Sequence, residues 1–204
     1  MKERIKIAVL VSGGGTNLQA LIDSEKSGKL KSGKLSLVIS DNPDAYALKR
    51  AGNAGIPAVI IRKKDFADRT GFESAVTETL INNGIGLIIL AGFMTILGES
   101  FTNRFSGRII NVHPSLIPSF CGKGFYGLRV HEAALARGVK LTGATVHFVN
   151  EIPDGGEIIM QKAVKVRKGD TPEELQARVM REAEWKILPA SAEKVCKDLL
   201  KNKR

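Results

Sequence analysis

Apolar residues recur along this chain in short β-branched runs separated by stretches with helical spacing. Ile5 to Val11 is the first run. It stops at Ser12-Gly13-Gly14-Gly15, after which Leu18, Leu21 and Ile22 return at the spacing of one helix face. Leu35 to Ile39 repeats the strand signal, Ala45 to Ala54 reads as a helix ended by Gly55, and Ile56 to Ile61 reads as a third strand. A helix is expected near Phe72 to Ile81, then strands at Gly86 to Leu90 and Arg108 to Val112. Apolar strands alternating with helices mean a parallel sheet covered on both faces.

The second half changes character. Thr142 to Val149 and Glu157 to Val166 are strand runs separated only by the turn-rich segment Asn150 to Gly156, the pattern of a hairpin with a long loop. Thr171-Pro172-Glu173-Glu174 then starts a helix: Thr171 can cap it, Pro172 suits its first turn, and Glu174 completes a capping box. That helix is expected to run toward the C-terminus, with a break at Pro189. The expected fold class is α/β, a single domain over 1–204. It is an open, twisted, mostly parallel sheet with helices on both faces, a C-terminal β-hairpin and a long helix.

Composition changes this picture little. At 43% hydrophobic and 25% charged residues the 204-residue chain has ordinary globular usage and enough length for one core. No window approaches the roughly 18 apolar residues of a membrane span. The start, Met1-Lys2-Glu3-Arg4, leads directly into the first strand run rather than into a signal-peptide core, so a cytoplasmic location and no membrane partner are expected. Cys121 and Cys196 have neither disulfide-framework nor metal-clip spacing. The excess of 31 basic over 21 acidic residues gives +10, which favours anionic partners. Solvated helix faces and a frayed tail, Lys201-Asn202-Lys203-Arg204, account for much of it. With one Trp, two Tyr and no RNA-binding motif, no nucleic-acid partner is expected.

In open sheets of this kind ligands sit beyond the carboxyl ends of the strands, which directs attention to the residues after Val11, Leu90 and Val112. The loop from Ser12 to Asn17 follows a strand and opens a helix, so its free N–H groups stand at the positive end of the helix dipole, where phosphate binds. As a dinucleotide fingerprint it is incomplete, because Leu18 replaces the third glycine, although Asp41 could serve as a ribose-binding acid. A nicotinamide-dependent oxidoreductase therefore stays open at this point. Two motif-like segments carry nothing: Gly28 to Lys34 lacks the P-loop hydroxyl residue, and His131-Glu132 lacks the second zinc-protease histidine, since Leu135 stands there. Asn111 and His113, two apart on a strand, project to the same side. If the hairpin loop folds back, the Asp154 carboxylate reaches His113 and favours its imidazolium form, while Asn111 can donate to the oxygen of a carbonyl becoming tetrahedral. These are the parts for acyl-type transfer with no covalent intermediate and no metal, and no Gly-x-Ser-x-Gly nucleophile is present.

Several blocks in order, Val11-Ser12-Gly13 through Asn17-Leu18-Gln19, Leu90-Ala91-Gly92-Phe93-Met94, Asn111-Val112-His113-Pro114-Ser115-Leu116-Ile117-Pro118, Thr145-Val146-His147-Phe148-Val149 and Asp154-Gly155-Gly156, resemble the phosphoribosylglycinamide formyltransferases over nearly the whole length. The resemblance implies a Rossmann-like formyltransferase fold, with a phosphate-binding half at 1–110 and a folate and catalytic half at 111–204. It implies 10-formyltetrahydrofolate as cosubstrate, phosphoribosylglycinamide as acceptor, no tightly bound cofactor, and a monomer or homodimer. By the same resemblance Asn111, His113 and Asp154 are the catalytic trio. Gly14, Gly15, Thr16, Asn17, Leu18 and Glu184 contact the ribonucleotide. Arg69, Met94, Thr95, Ile96, Leu97, Asn111, His147, Asn150, Glu151, Ile152, Pro153 and Asp154 contact the folate. The sequence departs from common members at Thr95, where Arg is frequent, and at Trp185, where His is frequent. Ser119 to Gly127 is longer than in some members and reads either as a flap over the site or as a plain surface loop. Folate-hydrolysing siblings are expected to carry a further N-terminal domain, and methionyl-tRNA formyltransferases a further C-terminal one.

Overall fold

A computed structural model describes residues 3–202; Lys203 and Arg204 of the basic tail lie outside the described residues. The strands are β1 (Ile5–Val11), β2 (Gly33–Ser40), β3 (Ala58–Ile60), β4 (Leu87–Leu90), β5 (Ile109–His113), β6 (Leu141–Phe148) and β7 (Ile158–Lys165). The helices are α1 (Thr16–Lys26), α2 (Tyr46–Asn53), α3 (Arg69–Asn82), α4 (Glu99–Arg104), α5 (Leu128–Arg137), α6 (Pro172–Val179) and α7 (Trp185–Asn202). The strands form one sheet in the order β3-β2-β1-β4-β5-β6-β7. β1 to β5 pair in parallel, whereas β6 is antiparallel to both β5 and β7.

The central strands β1 and β4 are apolar along nearly their whole length because helices cover both of their faces. Ile7, Val9, Ile89, Ile110, Val112, Ala144 and Val146 join the core on one face with Leu18, Leu188 and Ala192 of α1 and α7. Ala8, Leu10, Ile88 and Leu90 join the other with Phe72, Val76 and Leu80 of α3 and Phe101 of α4. The hairpin is present as β6 and β7, and the capping box forms as read: Glu174 N–H donates to Thr171 Oγ1 (3.2 Å), and Thr171 N–H to Glu174 Oε2 (3.0 Å).

Three differences from the sequence reading have physical causes. β3 shortens to Ala58–Ile60, an exposed edge held by β2 alone. α4 and α5 carry no long apolar stripe, so the apolar spacing alone predicts neither, although His131 in α5 fits an ordinary helix position. The C-terminal helix is not broken at Pro189: Met180–Glu184 forms a π turn, and Pro189 lies within α7. A π turn widens the backbone and is a common irregularity at functional sites, here ending on the buried Glu184.

Arg178 of α6 anchors the hairpin to this helical arm. Its guanidinium donates to both Asp170 oxygens (2.6 Å for Nη1 to Oδ2) and to the Lys165 carbonyl (2.9 Å), with both charged side chains almost completely buried. The Arg178 hydrogen bond, with help from the Arg167 N–H, holds the Asp170 carboxyl at about 2, below its ordinary 3.8. Because the folded-state value is depressed, the stabilisation is complete above about pH 4 and disappears as pH falls through about 2. Denaturant midpoints measured from neutral to acid pH should therefore fall for the native protein through this window. Asp170→Asn should be less stable at neutral pH, and its midpoint should fall less over the same range.

Candidate active site

The strand order reverses direction between β1 and β4, which makes the crevice beyond their carboxyl ends the switch point where ligands bind. Ser12 ties the crevice together. Its N–H donates to the Gly92 carbonyl (3.1 Å), its hydroxyl accepts from Met94 N–H (2.8 Å), and its carbonyl accepts from Asn42 Nδ2 (3.1 Å). At the start of α1, Gly15 is left-handed (φ 69°) and no side chain caps the helix. The N–H groups from Gly13 to Leu18 find no acceptor within the described residues. The carbonyls of this loop are instead turned toward α2: Gly13 accepts from Ala47 N–H (3.1 Å) and Gly14 from Arg50 Nε (2.8 Å). A Cβ on Gly15 would lie 2.6 Å from Ala47 Cβ. Free donors at a helix N-terminus form a cradle for an anion.

Asn17 and Glu184, far apart in sequence, meet beside this cradle. Asn17 Nδ2 donates to Glu184 Oε2 (2.7 Å), and burial raises the Glu184 carboxyl above its usual range although the Asn17 hydrogen bond opposes it. The structure thus brings Gly14, Gly15, Thr16, Asn17 and Glu184 together. Leu18 differs: its side chain is buried in the core, so only its N–H faces the loop. A cavity of about 780 Å³ opens beside Thr16 between α1 and α7, with Arg50 and Trp185 in its walls.

The second cluster is built by the β5–β6 register, in which Asn111 faces His147 and His113 faces Thr145. Alternation sends Ile110, Val112, Ala144 and Val146 into the core and these four polar residues to the opposite face. There the loops 114–127 and 149–157 lie against them. Asp154 sits in a left-handed conformation (φ 56°), one that Asp tolerates better than most residues. A Cβ on Gly156 would lie only 1.8 Å from the Phe148 carbonyl oxygen, so this tight fold of the loop requires glycine. The loop carries the carboxylate back to both histidines: His113 Nδ1 is 3.5 Å from Asp154 Oδ2, and His147 Nε2 is 3.5 Å from Asp154 Oδ1. Gly122 N–H donates to Asp154 Oδ2 (2.8 Å). Burial alone would raise the Asp154 carboxyl, but His113 and the Gly122 N–H, together with His147 whenever its Nε2 carries a proton, act against it and hold the group below the usual carboxylate range.

His113 Nε2 donates to the Phe120 carbonyl (2.8 Å), which leaves Nδ1 facing Asp154. Asn111 Nδ2 lies 3.3 Å from His147 Nε2. The chain has three histidines, and the third is close by as well. His131, completely buried on α5 with neither ring nitrogen hydrogen-bonded, is held neutral, its pKa lowered to about 4 by burial and then by His113.

The residues expected to contact folate divide. Met94, Ile96 and Ile152 expose apolar side chains, with Glu151 and Pro153 exposed beside them. Asn150 Oδ1 accepts from Ile152 N–H (3.1 Å), which shapes the loop. Leu97, in contrast, is buried in the core with Phe72 and Phe101, because the segment turns inward as it approaches α4. His147 is only 1% exposed and lies behind the trio, since its strand position turns it toward Asn111. Thr95 Oγ1 donates to Asp41 Oδ2 (2.9 Å), so Asp41 is turned toward the β4 segment. Arg69 packs on Gly98 and lies 3.6 Å from Glu73, lining a surface groove of about 440 Å³ rather than joining the trio. The loop 119–127 is no plain surface loop, because Phe120 and Gly122 touch His113 and Asp154. Residue types gave no sign of Phe120, which acts through its carbonyl; the glycine density nearby was the only available signal. Among the described residues no group of three or more His, Cys, Asp or Glu is arranged to hold a metal, and no helix is long and apolar enough to cross a membrane.

An open α/β sheet with an anion cradle at its switch point and an Asn-His-Asp cluster on the neighbouring strands defines a Rossmann-like group-transfer enzyme. The chain belongs to the formyl transferase family, whose model matches residues 5–191. It is 44% identical over 184 residues to a phosphoribosylglycinamide formyltransferase of Haemophilus influenzae, covering 90% of this chain and 84% of that protein. It is equally similar, at 44% over 194 residues, to the human trifunctional purine biosynthetic protein adenosine-3, but the match spans 95% of this chain and only 18% of that protein. Among solved structures, glycinamide ribonucleotide transformylase 1 of Symbiobacterium toebii superposes with a TM-score of 0.90 at 41% identity, covering 97% of this chain and 90% of that one.

The cradle predicts a measurable anion effect. Inorganic phosphate should raise the thermal midpoint of the native protein. Gly15→Ala should lower the midpoint without phosphate, since left-handed strain costs about 1–3 kcal/mol, and should remove the response to phosphate. A variant with an unchanged phosphate response would show that the anion binds elsewhere.

Proposed function

We propose that this protein transfers the formyl group of 10-formyltetrahydrofolate to the amine of phosphoribosylglycinamide, in purine biosynthesis in the cytoplasm, as a monomer or homodimer. The observation that carries the reading is the convergence of Asn111, His113 and Asp154 on one sheet face next to a free anion cradle. Family membership and the relatives' names support the choice of substrates.

In this reading the ribonucleotide phosphate binds the N–H groups of Gly13 to Leu18, and Glu184 with Asn17 fixes the ribose-glycinamide end. The folate lies along Met94, Thr95 and Ile96 under the 150–154 loop, and the exposed apolar side chains of Met94, Ile96 and Ile152 cover its ring. The acceptor amine attacks the formyl carbon and a C–N bond forms. The formyl oxygen becomes an oxyanion that accepts from the Asn111 amide and the His113 imidazolium. The Asp154 carboxylate, 3.5 Å from Nδ1, faces the His113 ring and orients it. The amine loses a proton, the folate N10 gains one through Nδ1 of His113, and the bond from N10 to the formyl carbon breaks. The Nε2–H bond to Phe120 persists throughout and fixes the ring. The nicotinamide alternative loses its main support because Asp41 is engaged by Thr95.

The test is ultraviolet detection of deformylation of 10-formyltetrahydrofolate with and without phosphoribosylglycinamide. Turnover should require the ribonucleotide. His113→Ala should lose at least about 10²-fold in kcat, and Asn111→Ala about 10²–10³-fold. Equal deformylation without the ribonucleotide would assign the protein to the hydrolases instead, and no turnover in either mixture would refute the reading.

A further inference from the structure

The position of Asn111 poses a question that the trio alone does not answer. A side-chain amide has nearly the same shape in either of its two flipped orientations, but only one presents an N–H donor to an oxyanion; the other presents a carbonyl oxygen that would repel it. Something must choose between them. Asn111 is half-buried, and the contact available to make that choice is His147, whose Nε2 lies 3.3 Å from Asn111 Nδ2.

His147 is itself fixed. Its Nδ1 lies 2.7 Å from the Phe148 carbonyl oxygen, an acceptor, so Nδ1 must carry a proton. In the neutral ring Nε2 then bears a lone pair, which accepts from the Asn111 N–H and rejects the Asn111 carbonyl. With the residue 1% exposed, water does not replace this contact. If Nε2 were protonated, its N–H would turn to Asp154 Oδ1, 3.5 Å away, and two effects would follow. The amide would lose its acceptor, and His113 would share its carboxylate with a second cation.

We propose that His147, neutral and protonated on Nδ1, is the positioning residue that sets the orientation of the Asn111 amide, so that one N–H is held and the other faces the reacting oxygen. The chain of control runs from the Phe148 carbonyl to the His147 tautomer, from the tautomer to the amide, and from the amide to the oxyanion. The substrate touches only the last member, so His147 acts through Asn111. This deepens the formyl-transfer reading and rests on it.

Two variants separate positioning from packing. His147→Gln places an amide oxygen where Nε2 stands and can still accept from Asn111. His147→Asn reaches only as far as Nδ1, keeps a donor for Phe148 and leaves the amide of Asn111 unset. His147→Gln should keep kcat within about threefold. His147→Asn should lose at least about tenfold in kcat with KM for both substrates little changed, a part of the 10²–10³ that a lost oxyanion donor costs. In an Asn111→Ala background His147→Asn should have no further effect, because its whole action passes through that amide. Equal losses in the two variants, or additive losses in the double variant, would overturn the proposal. A second arm needs no turnover: ¹⁵N chemical shifts of the His147 ring should show Nδ1 protonated and Nε2 bare near neutral pH. A protonated Nε2 would also refute the proposal. Absence of transfer by the native protein would refute the formyl-transfer reading itself, while the ring shifts would still report on His147.

Discussion

The register of β6 on β5 is the constraint on which this site depends. Side chains alternate along a strand, so a slip of one residue would drive Asn111 and His113 into the core and turn Val112 outward. What forbids the slip is apolar packing on the far face, where Ile110, Val112, Ala144 and Val146 are buried with the helical layer. The polar face therefore takes its geometry from the core face. Once Asn111 is opposite His147 and His113 opposite Thr145, the polar residues need only be enclosed, and the loops on either side do that.

Enclosure by loops has local demands that helices would not impose. Phe120 and Asp154 both adopt positive φ, and Gly156 closes against the Phe148 carbonyl at a distance no side chain permits. Backbone held in sparsely populated regions is found where function needs a group in one place. Here each case serves the trio: Phe120 presents its carbonyl to His113, and Asp154 reaches both histidines. The glycine loop before α1 follows a different plan, leaving donors unsatisfied rather than satisfying them. Gly15 starts α1 without a side-chain cap, and α2 takes up the loop carbonyls so that the N–H groups stay free.

Much of this was legible in the sequence, for reasons that differ by element. Doubly covered parallel strands must be apolar throughout, so Ile5 to Val11 and Leu87 to Leu90 announce themselves. The capping box at Thr171 is written in residue types and forms as read. Asn111 and His113 were visible because their spacing matches the strand period. Asp154 was visible only as one acid in a turn-rich segment, and its return to His113 depends on Gly156, whose role is a close approach that composition does not reveal. Short α4 and the π turn at 180–184 have no apolar periodicity to detect. Main-chain partners such as the Phe120 carbonyl leave no trace in residue identity. Leu97 and His147 show the limit of residue-by-residue transfer: adjacency to a binding segment does not say how a side chain is buried, and Leu97 sits in the core while His147 is enclosed behind Asn111.

The three histidines share one chemistry and have three environments, which is how the site divides its tasks. His131 has no hydrogen-bond partner and no solvent, so its charged form is penalised and it stays neutral, with a pKa near 4. His147 has a carbonyl at one nitrogen and an amide at the other, so its partners ask for one donor and one acceptor, the pattern of a neutral ring. His113 has a carbonyl at one nitrogen and a carboxylate at the other, both acceptors, so its partners favour a proton at each. Asp154 stays ionised to lower pH than an ordinary carboxylate. Both histidines reach the carboxylate at 3.5 Å, and what separates them is the Asn111 amide, which stands beside Nε2 of His147 and not beside His113.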